Sequence, residues 1–254
     1  MSIPTYLPFT VLAGCVATIV AAVVGVSRAV KRSNWSEHQR KRTVQAATAV
    51  LAGWFAIALA LALGGVYSAA TSRIPTIQFG IAIPVLIGCL MIWRWPALSR
   101  LINAVPREWV IAIQFYRVEG VVFLSLYAAH LLPGVFALPA GLGDVAVGLL
   151  AAAIGIGATG GRQLNSRTVL RWNLLGIADL IVALTTGFLT TPSAFQKFAF
   201  DHPNELISMF PLVLIPTFLV PLAILLHIIS LIQLVRATAH VGGSRERAVG
   251  QVQV

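Results

Sequence analysis

Hydrophobic residues along this chain come in long unbroken blocks. They show neither the two-residue alternation of a half-buried strand nor the one-sided stripe of a soluble amphipathic helix. The stretch "AIALALALGGV", residues 56–66, is typical. Seven blocks of this kind cover approximately 5–27, 44–70, 77–94, 108–132, 138–158, 169–190 and 207–234. Most reach the roughly 20 apolar residues that an α-helix needs to cross a hydrocarbon core. The gaps are short and carry the usual breakers: Pro75, Pro96, Pro106, Pro133, Pro139, Gly160-Gly161, Pro192 and Pro203. A membrane barrel would instead require short segments of strict alternation. The pattern predicts an all-α fold: a polytopic membrane bundle of seven transmembrane helices forming one domain over 1–240, with a short basic tail over 241–254. Pro84, and Pro211, Pro216 and Pro221 in the last block, remove backbone donors and predict bends.

Composition supports the pattern. Hydrophobic residues make up 58% of the chain and charged residues 10%, against roughly 25% charged in ordinary globular domains. The formal net charge of +10 would suggest a nucleic-acid partner in a soluble protein. Here the basic residues fall in the gaps, where they act as orientation signals, and no nucleic-acid partner is expected. Alternate gaps and the tail hold Arg28, Lys31, Arg32, Arg40, Lys41, Arg42, Arg94, Arg100, Arg107, Arg162, Arg167, Arg171, Arg236, Arg245 and Arg247, whereas the other side holds only Arg73 and Lys197. The positive side faces the cytoplasm. This places the N-terminus outside and the C-terminus inside a bacterial inner membrane, with the lipid bilayer as the protein's main partner. Trp93, Trp95, Trp109 and Trp172 fall at the cytoplasmic ends of blocks and read as an interfacial belt. Cys15 and Cys89 both lie inside blocks, so no disulfide framework is expected. "LAGC", residues 12–15, imitates a lipoprotein cleavage box but lacks the basic start.

The informative positions are the polar ones inside the blocks. An ionisable group at mid-membrane depth costs several kcal/mol unless it is paired, neutralised or hydrated, which makes it a functional candidate. The fourth block carries "QFYRVEG", Gln114 to Gly120. Counted from Glu108 at 1.5 Å per residue, Arg117 and Glu119 lie about 13–17 Å deep in an α-helix and point about 160° apart. They cannot easily pair with each other, so Arg117 is expected to reach Asp179 or Asp144 on other helices. Glu119 shares a face with Tyr116 and, three turns on, with His130, which nominates Glu119 and His130 as a proton relay.

"GLGDVAVGLL", 141–150, aligns without gaps on "GIADLIVALT", 176–185. Gly141/Asp144/Gly148 and Gly176/Asp179/Ala183 each occupy one helix face, extended a turn by Asn173. Carboxylates flanked by small residues suit close helix packing around a polar centre. The candidate ligand- or ion-binding core is therefore Arg117, Glu119, Asp144, Asp179, Asn173, Tyr116 and Gln114.

Other chemistries find less support. His130 and His227 lie at different depths, against bis-histidine haem ligation. An outer metal site from His130 and His202 with Asp201 and Glu205 is weaker than a solvated loop in which Asn204 and Glu205 cap a helix start. The last block has no lysine for a retinal Schiff base, and no phosphate loop, nucleophile elbow or HExxH motif occurs. No catalytic residue, cofactor or metal is predicted. Two classes remain: a proton-linked transporter of a small molecule or ion, or a non-transporting receptor or structural module whose charges only fix helix packing.

From "FYRVEGVVFL" through "LPGVFALPAGLGDVAVGLLA", "WNLLGIADLIVAL" and "FPLVLIPTFLVPLAILLHIISLIQL", the chain resembles bacterial seven-helix inner-membrane proteins. The resemblance implies a compact bacterial membrane domain and brings no assigned activity with it.

Overall fold

The computed structural model describes residues 3–68, 75–161 and 163–250, so Arg73, Arg162 and the last four residues of the tail lie outside the described residues. All regular structure among the described residues is helical. The first three spans are α1 (Tyr6–Lys31), α2 (Glu37–Leu63) and α3 (Ile77–Arg94). A short α4 (Pro96–Ala104) follows, with proline in its first turn, where the missing N–H costs nothing. The fourth span, Arg107–Ala128, has three parts: α5 (Arg107–Ala112), a 3₁₀ segment (Ile113–Gly120) and α6 (Val121–Ala128). The fifth and sixth are α7 (Gly134–Thr159) and α8 (Ser166–Thr190). The seventh begins as a π-helical turn (Ile215–Leu219) and continues as α9 (Val220–Gly250).

Several expected boundaries are corrected. The polar stretch before residue 44 is helix: Ser36 and Gln39 form a reciprocal capping box, Ser36 Oγ accepting from the Gln39 N–H and Gln39 Oε1 from the Ser36 N–H. Residues 207–214 are not part of the last span; a 3₁₀ turn at Leu206–Ser208 and further turns precede Ile215. Pro211 therefore bends no span, while Pro216 lies in the π turn. The backbone of α9 runs unbroken through residue 240 into the basic tail. Gly161 turns the chain between α7 and α8 at φ +89, a conformation open to glycine at little cost.

The fourth to seventh spans form a closed ring. The fourth lies along α7, α7 against α8, α8 against α9, and α9 back against α5. Small residues make this possible: a side chain at Gly148 would meet the Val118 backbone nitrogen at 2.8 Å, and one at Gly155 would meet Ala112 Cβ at 2.6 Å. The first three spans lie outside the ring. α1 packs on α2 and on the 3₁₀ segment, α3 on α9 and the π turn. α2 reaches the π turn through Trp54 and Phe55, whose rings meet Phe218 edge-on at 4.9 and 5.3 Å.

Exposure is inverted relative to a soluble protein. Phe79, Leu86 and Trp93 face outward, whereas Arg117, Asn173 and His227 are buried. Among the described residues, seven helices are long and apolar enough to cross a membrane, as a multi-pass membrane protein requires. Trp172 does not belong to an interfacial belt. It is buried, donates from Nε1 to the Val147 carbonyl at 3.2 Å, and packs with Ile111, Val147 and Ala151.

Candidate functional site

The 3₁₀ segment sorts the charges of the fourth span. At three residues per turn, positions i and i+3 eclipse, so Gln114, Arg117 and Gly120 form one row and Tyr116 and Glu119 another. The first row is buried and faces the ring interior. The expected α-helical separation of Arg117 and Glu119 is replaced by about 120°, which still sends them to different neighbours.

Each of the four ring helices contributes to one polar centre. Arg117 donates through Nε to Asp144 Oδ1 at 2.7 Å, and through Nη2 to Asp179 Oδ2. Its Nη1 faces His227 Nε2 at 3.2 Å and the Gly176 carbonyl at 3.5 Å. Guanidinium has only donors, so His227 Nε2 must accept and its proton sits on Nδ1. Nδ1 lies 2.9 Å from Asn173 Oδ1, which accepts it. Asn173 Nδ2 in turn donates to Ser230 Oγ at 3.0 Å and to the Val169 carbonyl at 2.9 Å. The chain Asp–Arg–His–Asn–Ser is thus satisfied link by link, with the Trp172 ring 4.8 Å from that of His227. Arg117 reaches both aspartates, where the sequence reading offered one or the other.

The glycine stripes set the distances. Gly176 lies against His227 and Arg117, Gly143 against Asp179, and Gly120 against Asp144, and a Cβ at any of them would collide with these groups. Gly141 and Gly148 face the fourth span, placing Asp144 on the interior face of α7.

Glu119 and Gln114 stay outside the network. Both Glu119 carboxyl oxygens are buried without a hydrogen-bond partner and lie against Gly14 of α1. Gln114 is fully buried and neither amide atom has a partner. Tyr116 donates to the Leu219 carbonyl of the π turn at 2.8 Å. A cavity of ≈ 20 Å³ opens beside these groups, lined by Tyr116, Arg117, Glu119 and Asp144 on its polar side and by Leu180, Ile215, Leu219, Val220 and Ala223 on its apolar side. That volume suits one water-sized particle.

His130 is exposed on the turn after α6, at φ 55, a region where histidine is enriched among non-glycine residues. No hydrogen bond joins it to Glu119. In the loop after α8 Asn204 does not cap a helix; its N–H and Nδ2 donate to the Thr190 carbonyl and hydroxyl.

Sequence reasoning missed His227, Ser230 and Gly14. The depth mismatch with His130 speaks only against paired haem ligation; the partners of His227 are an arginine and an amide. His227 and Ser230, one turn apart in the last span, were the available signal.

A family model matches residues 74–235. The chain belongs to the DUF8737 family, a domain of unknown function. The match runs from just before α3 into α9 and takes in the whole polar centre, while α1, α2 and Gly14 lie N-terminal to it. No curated protein and no solved structure matches the chain.

Proposed function

We propose that this protein is a proton-linked carrier of a small molecule or ion, embedded in a bacterial inner membrane with its N-terminus outside. The observation that carries the reading is the meeting of two irregular segments at one charged centre. The 3₁₀ segment of the fourth span and the π turn of the seventh both line the cavity beside Arg117, Glu119 and Asp144. Carriers place substrate and coupling-ion sites near the bilayer midplane, where helices depart from α geometry. Irregular backbone at membrane depth is tolerated where it is buried in protein or lines a cavity. Three carboxyls, those of Glu119, Asp144 and Asp179, surround one guanidinium, an excess that proton uptake would balance.

The second reading, a non-transporting receptor or structural module, draws on a different observation. Arg117 is fully engaged, and the cavity admits nothing larger than a water.

Reconstitution separates the two. Vesicles containing the purified protein and a pH-sensitive dye are given an imposed proton gradient. The carrier reading expects proton flux above that of empty vesicles, lost in Glu119→Gln and Asp179→Asn. Flux equal to that of empty vesicles rejects it.

A further inference from the structure

Arg107 carries a charge that no described group of the chain answers. Its Nε and Nη2 atoms are closed off from solvent, and neither meets an acceptor among the described residues. None of the ion pairs among those residues involves Arg107. The two atoms form one edge of the guanidinium, the same edge with which Arg117 holds its two aspartates. Donors on a charged group are the costliest to leave unpaired in a closed interior, and such groups call for a partner from outside the chain.

The face on which Arg107 lies leads to the polar centre. Ile111 and Gln114 follow it at four and seven residues, one face of a helix. Arg117 and Gly120 continue the row at the three-residue steps of the 3₁₀ segment. Ile111 packs there with Val147 and Ala151 of α7, Trp172 of α8 and Leu234 of α9, so this face is the ring interior. Trp109 points the opposite way, with the Arg32 guanidinium of α1 over its ring at 5.0 Å. Arg107 therefore stands at one end of the interior, and an apolar layer separates it from Gln114 and the centre. It is the end that the basic residues mark as cytoplasmic.

Two donors on one edge match two coplanar oxygens, the fork by which arginine takes carboxylates and phosphates. Phosphate brings further oxygens that need donors of their own. The next unpartnered buried donor on this face, Gln114 Nε2, belongs to a residue about 11 Å further along the axis. A lipid headgroup would approach from outside the ring, where Trp109 rather than Arg107 is presented. We propose that Arg107 binds the carboxylate of a small organic anion at the cytoplasmic end of the ring interior. The site rests on the carrier reading for its use and deepens it by naming the substrate class, while binding itself does not require transport. The Gln114 amide, fully buried with donor and acceptor both unpartnered, is the next polar contact inward, past Ile111, Trp172 and Leu234.

The test is thermal melting of the full-length protein in detergent, with sodium acetate, sodium phosphate or sodium chloride at equal ionic strength and pH. Phosphatidylglycerol added to the micelles makes a fourth arm. Acetate is expected to raise the melting temperature saturably and beyond the other additions. Arg107→Gln should abolish that effect. Arg107→Lys, which keeps the charge and loses the fork, should raise the acetate midpoint about tenfold or more. Should Arg107→Gln fail to fold, Arg107→Lys decides alone. Stabilisation by acetate no greater than by chloride overturns the site, as does an acetate effect unchanged in either variant. Stabilisation by phosphate or by the lipid in place of acetate, lost in Arg107→Gln, overturns the carboxylate assignment. Because melting reads binding without flux, an acetate effect in a protein that moves no protons rejects the carrier reading alone, and proton flux without an acetate effect rejects the site alone.

Discussion

At the residue scale the centre is a single arginine holding two aspartates and an imidazole in fixed register. Removing Arg117 leaves Asp144 and Asp179 buried beside each other with no compensating charge, and breaking a buried pair from one side costs about 3–5 kcal/mol. Arg117→Ala is therefore expected to lower the stability of the detergent-solubilised protein by about that much. Adding Asp179→Asn should recover part of the loss, a coupling of roughly 0.5–3 kcal/mol; strictly additive losses in chemical melting would show that the pair does not act as a unit. The imidazole offers a second check. Nitrogen NMR should find His227 protonated at Nδ1 and bare at Nε2, because Arg117 can only donate to it. Arg117 and both aspartates were legible in the sequence because a charge inside a twenty-residue apolar block has few explanations. His227 was not, because an isolated histidine in such a block gives no hint of which neighbour satisfies it.

At the element scale, small residues decide how close the ring helices come. Gly148 of α7 sits against the Val118 amide nitrogen at 2.8 Å and the Phe115 carbonyl at 3.2 Å, measured to the position its Cβ would take. Neither backbone atom can step aside. Gly148→Ala should separate the fourth and fifth spans and cost about 1–3 kcal/mol. Gly53 of α2, with nothing within 4 Å, is the matching control, and Gly53→Ala should be neutral or stabilising by up to about 1 kcal/mol. A destabilising Gly53→Ala alongside a silent Gly148→Ala would reverse this account. The Gly141/Asp144/Gly148 face could be read from spacing alone. The 3₁₀ stretch that carries Arg117, which packs against α7 and α1, could not, because its residues are compatible with an ordinary helix. The amphipathic α4 was also missed, although Trp95-Pro96 before it and Val105-Pro106 after it mark its ends. It is held by Gln233 of α9, which donates to the carbonyls of Ile102 and Val105 at 2.6 and 2.8 Å.

At the scale of the whole molecule, the ring of four spans is the family's domain together with α3, and the first two spans are laid against it. The uneven split of basic residues predicts the orientation. Reporter fusions after Ser33 and Leu164 should read as cytoplasmic, and fusions after Leu131 and Lys197 as periplasmic. A periplasmic signal after Ser33 would invert the entire arrangement.

The tight winding of the fourth span has a mechanical side. A 3₁₀ helix rises about 2.0 Å per residue against 1.5 Å in an α-helix, and turns about 20° further at each step. The eight residues Ile113–Gly120 therefore hold about 4 Å of extra length and nearly half a revolution of extra twist. Relaxation of this stretch to α geometry would draw one end of the span toward the other and swing Arg117 and Glu119 around the axis together. The span is in effect a short screw whose thread carries the charges. Spin labels on either side of it, at Glu108 and Tyr127, would report a turn of that screw as a shortening of about 4 Å.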